Sequence, residues 1–117
     1  MYISSTRLRY LLEIYQINET KEVIRSADIA KSMGVRRPTV ARMLQALVSE
    51  QLIAKERYGE VYLTARGYQV ASSYAQTIER LKIILPSMGM QMDSNEINEA
   101  ALAIACILPL PGDCKKE

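Results

Sequence analysis

The strongest chemical signal in the sequence is a group of three arginines, Arg36, Arg37 and Arg42, within seven residues. Thr39 and Arg42 are three residues apart, so they share one face of any helix that contains both. An arginine can donate two hydrogen bonds to O6 and N7 of guanine, and a threonine can contact a thymine methyl group or a phosphate. The group predicts a helix end that contacts bases in the DNA major groove. The plainer interpretation is a solvated charged face.

A second group of residues, Lys55, Arg57 and Tyr58, lies between two strand-like runs at residues 52–57 and 60–63. Two such runs around a Tyr-Gly pair predict a β-hairpin. Lysine and arginine on a hairpin can neutralise phosphates without reading base sequence, or they can simply block edge-to-edge pairing. The candidate DNA-binding residues are Arg36, Arg37, Thr39, Arg42, Lys55, Arg57 and Tyr58.

Helices on the N-terminal side must position these two groups. Apolar residues three and four apart predict an amphipathic helix over residues 5–17. Ser26 as N-cap and Gly34 just after the C-terminus delimit a short helix over residues 27–33. Pro38 suits the first turn of the next helix, which precedes the hairpin. Two short helices joined by a glycine-containing turn, followed by a hairpin, form a winged helix-turn-helix.

Two further helices are predicted behind the hairpin, the first over residues 65–84 and the second from a capping box of Asp93 and Glu96 to residue 108. Their apolar content exceeds what a three-helix domain needs, which favours a dimerisation element. Packing onto the first helix of the same chain is an equally weighted alternative. The candidate interface residues are Tyr74, Ile78, Leu81, Leu85, Ile97, Ala101, Ile104 and Leu108.

The predicted fold class is mainly α, a winged helix-turn-helix domain over residues 1–64 followed by a helical dimerisation region over residues 65–108 and a loose tail over residues 109–117. Charge follows this division. Residues 1–70 carry 11 Lys and Arg against 7 Asp and Glu, whereas residues 71–117 carry 4 against 6. A basic front and an acidic rear are typical of a nucleic-acid-binding module followed by a different element.

Composition argues against an enzyme. The chain has no histidine, the residue that is the commonest general base and metal ligand. Serine triads, Cys–His dyads and histidine-bearing zinc sites are therefore excluded. We find no glycine-rich phosphate loop and no small-molecule substrate site in the sequence.

The two cysteines, Cys106 and Cys114, do not form a disulfide framework. The longest apolar run has about twelve residues, where a membrane span needs roughly twenty, and the N-terminus does not resemble a signal peptide. These features predict a reduced, cytoplasmic protein. A soft-metal site of the cysteines with Met88, Met90 and Met92 stays open, although methionine more often fills cores.

Several short motifs together resemble the iron-dependent repressor family, which includes the diphtheria toxin repressor and the manganese transport regulator. They are Glu13-Ile14-Tyr15, Asp28-Ile29-Ala30, Gly34-Val35, Pro38-Thr39-Val40, Tyr58-Gly59 and Leu63-Thr64-Ala65-Arg66-Gly67. The resemblance covers about residues 5–108 and is strongest over the winged domain. It implies a transcriptional regulator that binds a palindromic operator as a homodimer.

The resemblance also implies a site for Mn²⁺ or Fe²⁺ built by the first helix and the two rear helices. The family's ligands there are carboxylates and histidine. The matching positions in this chain are Arg9, Leu12, Ile78 (or Thr77), Ala100, Ala103 and Ile104. None of these side chains suits such an ion, so no metal cofactor is predicted. We expect a metal-independent DNA-binding repressor, with a protein-interaction adaptor of the same fold as the alternative.

Overall fold

The computed structural model describes residues 3–56 and 58–108. Over these residues it contains five helices and three short strands. In chain order they are α1 (Ser5–Asn18), β1 (Ile24–Arg25), α2 (Ser26–Met33), α3 (Arg37–Ser49), β2 (Ile53–Lys55), β3 (Glu60–Leu63), α4 (Ala65–Ser87) and α5 (Ser94–Ile107). Contacts divide the described chain into a winged-helix unit, Thr6–Ala71, and a helical unit made of residues 3–5 and 72–108. The predicted fold class is confirmed. The assignment of residues 1–64 to DNA binding and 65–108 to dimerisation stays a prediction, and the predicted tail lies outside the described residues.

The turn between α2 and α3 forms as its residue types require. Gly34 adopts the left-handed conformation, with φ of 68°, which is accessible to glycine at little cost. Its N–H donates to the carbonyl oxygen of Lys31 and that of Val35 to Ala30, so the last carbonyls of α2 are satisfied. Pro38 lies in the first turn of α3, where its missing N–H has no intrahelical partner to lose.

The N-cap predicted at Ser26 is wrong by one residue. Ser26 is the first residue of α2 and Arg25 is the N-cap. The backbone N–H of Arg25 donates to Asp28 Oδ2 at 2.9 Å. The start of the helix is therefore fixed by the carboxylate of Asp28, three residues after the N-cap, rather than by a serine hydroxyl.

The hairpin predicted from the sequence is present, and it belongs to a three-stranded sheet of order β1-β3-β2. Strands β2 and β3 pair antiparallel from Ile53 opposite Leu63 to Lys55 opposite Val61. Strand β1 joins the other edge of β3, with Arg25 opposite Glu60. We call residues 53–63 the wing. The sheet links the wing directly to the segment that enters α2.

One apolar core holds the winged-helix unit together. Helix α3 contacts both α2 and β2. Each fully buried leucine or isoleucine contributes roughly 1.5–3 kcal/mol relative to exposure, which is offset by the entropy of ordering the chain. The least exposed side chains of this core are Leu8, Leu11, Ile14, Ile24, Ile29, Val40, Leu44, Leu47, Leu52 and Val61.

Close backbone contact joins the first turn of α4 to the turn between α3 and β2. The N–H of Thr64 donates to the carbonyl oxygen of Leu52 at 3.2 Å, and Thr64 Oγ1 donates to the carbonyl oxygen of Gln51 at 2.7 Å. The same Oγ1 accepts the N–H of Gly67 at 2.9 Å, as an N-cap does. A Cβ atom on Gly67 would lie 1.7 Å from the Leu52 carbonyl oxygen. The approach is therefore open only to glycine.

In the helical unit, the predicted capping box at the start of α5 is present. Asp93 Oδ1 accepts the N–H of Glu96 at 2.8 Å, and Glu96 Oε1 accepts that of Asp93 at 3.1 Å. Helix α4 runs three residues past its predicted end and includes Pro86 in its last turn. Within the described residues, no helix combines the length and the apolar character that a membrane span requires.

Candidate nucleic-acid interface

The three arginines of the first group cluster at the N-terminal half of α3. Arg36 is the N-cap residue, with extended φ and ψ of −82° and 155°, and Arg37 is the first helical residue. The side chains of Arg36, Arg37 and Arg42 are exposed, and Thr39 is half-buried. The first turn of α3 contains no acidic residue. The helix therefore presents concentrated positive charge at the end that enters the major groove in helix-turn-helix proteins.

Acidic side chains neutralise other cations of the winged-helix unit but not these. Arg7 pairs with Glu50, and Lys21 pairs with Asp28 at 2.9 Å. By contrast, over the described residues the three arginines of α3 make no ion pair and no side-chain hydrogen bond. A polyanion can approach them without first displacing a carboxylate, which would otherwise cost binding free energy.

The wing supplies a second cationic and aromatic surface. Lys55 ends β2 and is exposed, and no ion pair to it occurs in the part of the chain that the structure describes. Tyr58 lies at the tip with 78% of its surface exposed. Arg57, the third predicted residue here, lies outside the described residues. The assignment of all seven candidates to DNA contact stays a prediction.

The sequence reasoning assigned no role to two further cations of the winged-helix unit, Lys31 and Arg25. Lys31, in the last turn of α2, is exposed and has no ion pair within the described ranges. Arg25 reaches the wing, where Nη2 lies 4.0 Å from Glu60 Oε2 and Nη1 donates to the carbonyl oxygen of Tyr58 at 3.4 Å. Sequence alone could not place Arg25 because its partners lie more than thirty residues away in the chain.

Two ionisable groups flank this region with shifted pKa values. The hydrogen bond from Lys21 holds the pKa of Asp28 below its usual value, and the backbone N–H of Arg25 lowers it further. The Tyr62 hydroxyl donates to Glu60, and this hydrogen bond raises the pKa of Tyr62. The lowered pKa favours the ionised carboxylate of Asp28, and the raised pKa favours the neutral hydroxyl of Tyr62.

The predicted interface residues divide into two sets. Tyr74, Ile78, Leu85 and Ala101 are buried within the single chain, so they form its core and not its surface. The others, Leu81, Ile97, Ile104 and Leu108, are half-buried or exposed. Apolar exposure in the helical unit is concentrated instead at neighbouring positions that the periodicity did not select. These are Ile83, Ile84, Met88, Met90 and Ile107, each at least 47% exposed.

The positions that the family resemblance assigns to metal do not suit a metal ion here. Leu12, Ile78, Ala100, Ala103 and Ile104 carry no donor atom in their side chains, and Arg9 is a cation. Mn²⁺ and Fe²⁺ need oxygen or imidazole ligands. Among the described residues, no group of three or more Asp, Glu, Cys or His side chains could hold a metal ion.

The methionines of the soft-metal alternative do not form a core. Met88 and Met90 are 63% and 47% exposed, and Met92 and Cys106 are half-buried. Cys114 lies outside the described residues. The described residues give the alternative no support.

A recognition helix whose exposed arginines have no ion pair within the described ranges, a preceding helix, and a wing that carries the exposed Lys55 define a winged helix-turn-helix protein. Residues 3–61 match the family model described as iron dependent repressor, N-terminal DNA binding domain. The chain belongs to the iron-dependent repressor family, a family of DNA-binding transcriptional regulators and not of enzymes.

Individual relatives agree with this assignment. The HTH-type transcriptional regulator MntR of Listeria welshimeri is 31% identical over 88 residues, covering 75% of this chain and 61% of that protein. MntR of Bacillus subtilis is 28% identical over 81 residues, 69% of this chain and 57% of that protein. The structure of the manganese regulator SloR has a TM-score of 0.74 and 28% identity, covering 88% of this chain and 47% of that chain. The chain thus spans only about half to three fifths of these relatives.

Proposed function

We propose that this protein is a transcriptional repressor that binds a palindromic DNA operator as a homodimer and does so without a transition metal. The observation that carries the proposal is the set of exposed arginines on α3 that have no acidic partner among the described residues. The membership of the chain in a family of DNA-binding regulators supports the same function.

In this function Arg37 and Arg42 contact base edges, because residues in the N-terminal half of a recognition helix face the major-groove floor. Arg36 precedes the helix and Thr39 is half-buried, so both are positioned for phosphate or methyl contacts. Lys55 and Tyr58 on the wing contact the flanking backbone. Two copies related by a two-fold axis place their recognition helices in successive major grooves, about 34 Å apart.

Exposed apolar side chains on the helical unit support the homodimer. Ile83 and Ile107 are 74% and 71% exposed, which is unusual for isoleucine. Large exposed apolar side chains on the surface of a helical element favour an interaction surface, and a second copy of the chain is the commonest partner. Ile83→Glu and Ile107→Glu should each shift the protein toward monomer in light-scattering measurements, with an exposed polar position such as Gln76 (Gln76→Glu) as control.

Metal independence rests on side-chain chemistry. The positions that match the family's ligands carry apolar side chains or Arg9, and the alternative Thr77 donates its hydroxyl to the carbonyl oxygen of Ser73 at 3.0 Å. None of these is a carboxylate or an imidazole, the ligands that such an ion prefers. We infer that DNA affinity is not controlled by a transition metal at that site, and that the operator-binding arrangement does not depend on metal occupancy.

The test is DNA binding by single variants, after selection of a duplex from random sequences with and without Mn²⁺. Arg37→Ala and Arg42→Ala should each weaken binding by about 1–3 kcal/mol. Arg80→Ala, which removes an exposed arginine of the helical unit, is the matched control and should leave the Kd nearly unchanged. Equal small effects of all three variants would contradict the site assignment. Recovery of no duplex above background at moderate salt would contradict DNA binding and favour the adaptor.

A further inference from the structure

The wing is attached to the rest of the unit at one edge by a very short strand. Strand β1 has only two residues, and its last pair is Arg25 opposite Glu60. Beyond this pair the wing continues to its tip without a neighbour on that side in the described sheet. A short two-stranded hairpin is at best marginally stable by itself. The position of the tip therefore depends on contacts made near Arg25.

Arg25 makes those contacts from two directions. Its backbone N–H is held by Asp28 at 2.9 Å, at the start of α2. Its guanidinium contacts the wing: Nη1 donates to the carbonyl oxygen of Tyr58 at 3.4 Å, and Nη2 lies 4.0 Å from Glu60 Oε2. One residue thus joins the first turn of α2 to the tip of the wing and the start of β3.

We propose that Arg25 is a positioning residue that holds the tip of the wing relative to α2, so that Lys55 and Tyr58 are already in place when DNA arrives. The proposal rests on the proposed function, because the wing matters only if the unit binds a duplex. Its physical basis is preorganisation: ordering a mobile segment during binding reduces affinity, and ordering it beforehand avoids that loss.

The fork geometry of arginine is what suits this residue to the role. Two separate nitrogens of one planar group reach a carbonyl oxygen and a carboxylate at the same time, whereas the one nitrogen of a lysine ammonium would have to serve both acceptors from a single position. The carboxylate of Glu60 is itself fixed by the Tyr62 hydroxyl. Each contact is weak because Arg25 is 55% exposed, but together they act on a segment with few other constraints.

The first test uses the free protein and needs no DNA. Gly59 N–H donates to the carbonyl oxygen of Glu56 at 3.1 Å and closes the wing turn. In Arg25→Gln the hydrogen exchange of this amide should be about twofold to fivefold faster, while amides in the middle of α3 should exchange as in the wild type. Arg25→Lys should resemble Arg25→Gln more than the wild type.

The second test compares two carboxylates of the wing in a DNA-binding assay. Glu60→Gln and Glu56→Gln each remove one negative charge, but Glu56 has no ion pair among the described residues. If Arg25 positions the wing through Glu60, Glu60→Gln should weaken binding by about twofold to fivefold. Glu56→Gln should leave binding equal or tighter, because a charge that repels phosphate has been removed.

The outcomes separate this inference from the proposed function. If Glu60→Gln tightens binding as Glu56→Gln does, Arg25 is a phosphate contact released by the change and the positioning role is wrong. If the Gly59 amide exchanges at the wild-type rate in Arg25→Gln, the role is wrong whatever the DNA result. If the wild type binds no duplex, the proposed function fails, and the exchange measurement still decides whether Arg25 orders the wing.

Discussion

Gly67 offers the sharpest test of how the structure is held together. An alanine Cβ at this position would lie 1.7 Å from the carbonyl oxygen of Leu52 and 2.7 Å from its carbonyl carbon. Because non-bonded atoms of this kind are in contact at about 3.5 Å, the two backbones would have to separate by roughly 1.8 Å. Both backbones belong to the winged-helix unit. Because the new Cβ would overlap backbone atoms of Leu52, a change of side-chain rotamer cannot relieve the overlap.

The expected loss of stability is the sum of the interactions that such a separation weakens. The hydrogen bonds from Thr64 to the carbonyl oxygens of Leu52 and Gln51 contribute about 1 kcal/mol each. Loosened packing of the fully buried Leu52 side chain costs about 1–2 kcal/mol more. Alanine returns about 1 kcal/mol through its higher helix propensity. Gly67→Ala should therefore lower the free energy of unfolding by about 2–3 kcal/mol.

Urea unfolding followed by circular dichroism measures this change. Gly34→Ala is a useful comparison, because nothing lies within 4 Å of the new Cβ but φ is +68°, so only left-handed strain of about 1–2 kcal/mol applies. Gln69→Ala, at an exposed position of α4, should be nearly neutral. An unfolding free energy for Gly67→Ala equal to or above that of the wild type would refute the packing described around Leu52.

Three further predictions address charge, capping and metal. The pKa of Asp28 is lowered in the folded state, so its contribution to stability is present above the unfolded pKa of about 3.9 and is lost as pH falls through the folded value. Asp28→Asn should therefore lower the free energy of unfolding at pH 7 and change it much less at pH 2.5. Urea titration at each pH measures the difference. Asp93→Ala removes the capping box of α5 and should cost about 1 kcal/mol by the same measurement, whereas Asn95→Ala, exposed on the first turn, should cost less. Titration with Mn²⁺ or Fe²⁺ should change neither DNA affinity nor Tm, and a saturable micromolar effect on either would show that a metal site exists.

Local signals in the sequence predicted the elements well. Gly34 and Pro38 mark a helix end and a helix start because their backbone restrictions are intrinsic to the residue. The Asp93 and Glu96 pair is equally local, since both partners lie within one turn. The hairpin follows from strand-like runs on either side of Gly59, whose φ of 81° closes the turn.

Features that depend on distant partners were not predictable. Strand β1 has two residues and exists because β3, more than thirty residues later, pairs with it. The contacts of Arg25 with the wing were not predictable for the same reason, because the partners are more than thirty residues away in sequence. Periodicity identified Tyr74, Ile78 and Leu85 as an apolar stripe, but it could not say whether a stripe faces the core of its own chain or a partner. In the structure these three side chains are buried in the single chain.

The arrangement at the start of α3 has a thermodynamic cost for the free protein. A cation near a helix N-terminus interacts unfavourably with the helix macrodipole and costs about 0.3–1 kcal/mol. Arg36 is the N-cap residue, but its side chain makes no capping hydrogen bond. Aspartate or serine at an N-cap would stabilise the helix by about 0.5–2 kcal/mol. Arg36 therefore places positive charge where the stability of α3 alone would favour negative charge. Arg36→Asp should therefore yield a more heat-resistant protein that has lost affinity for a polyanion, a trade of robustness against activity concentrated in one residue.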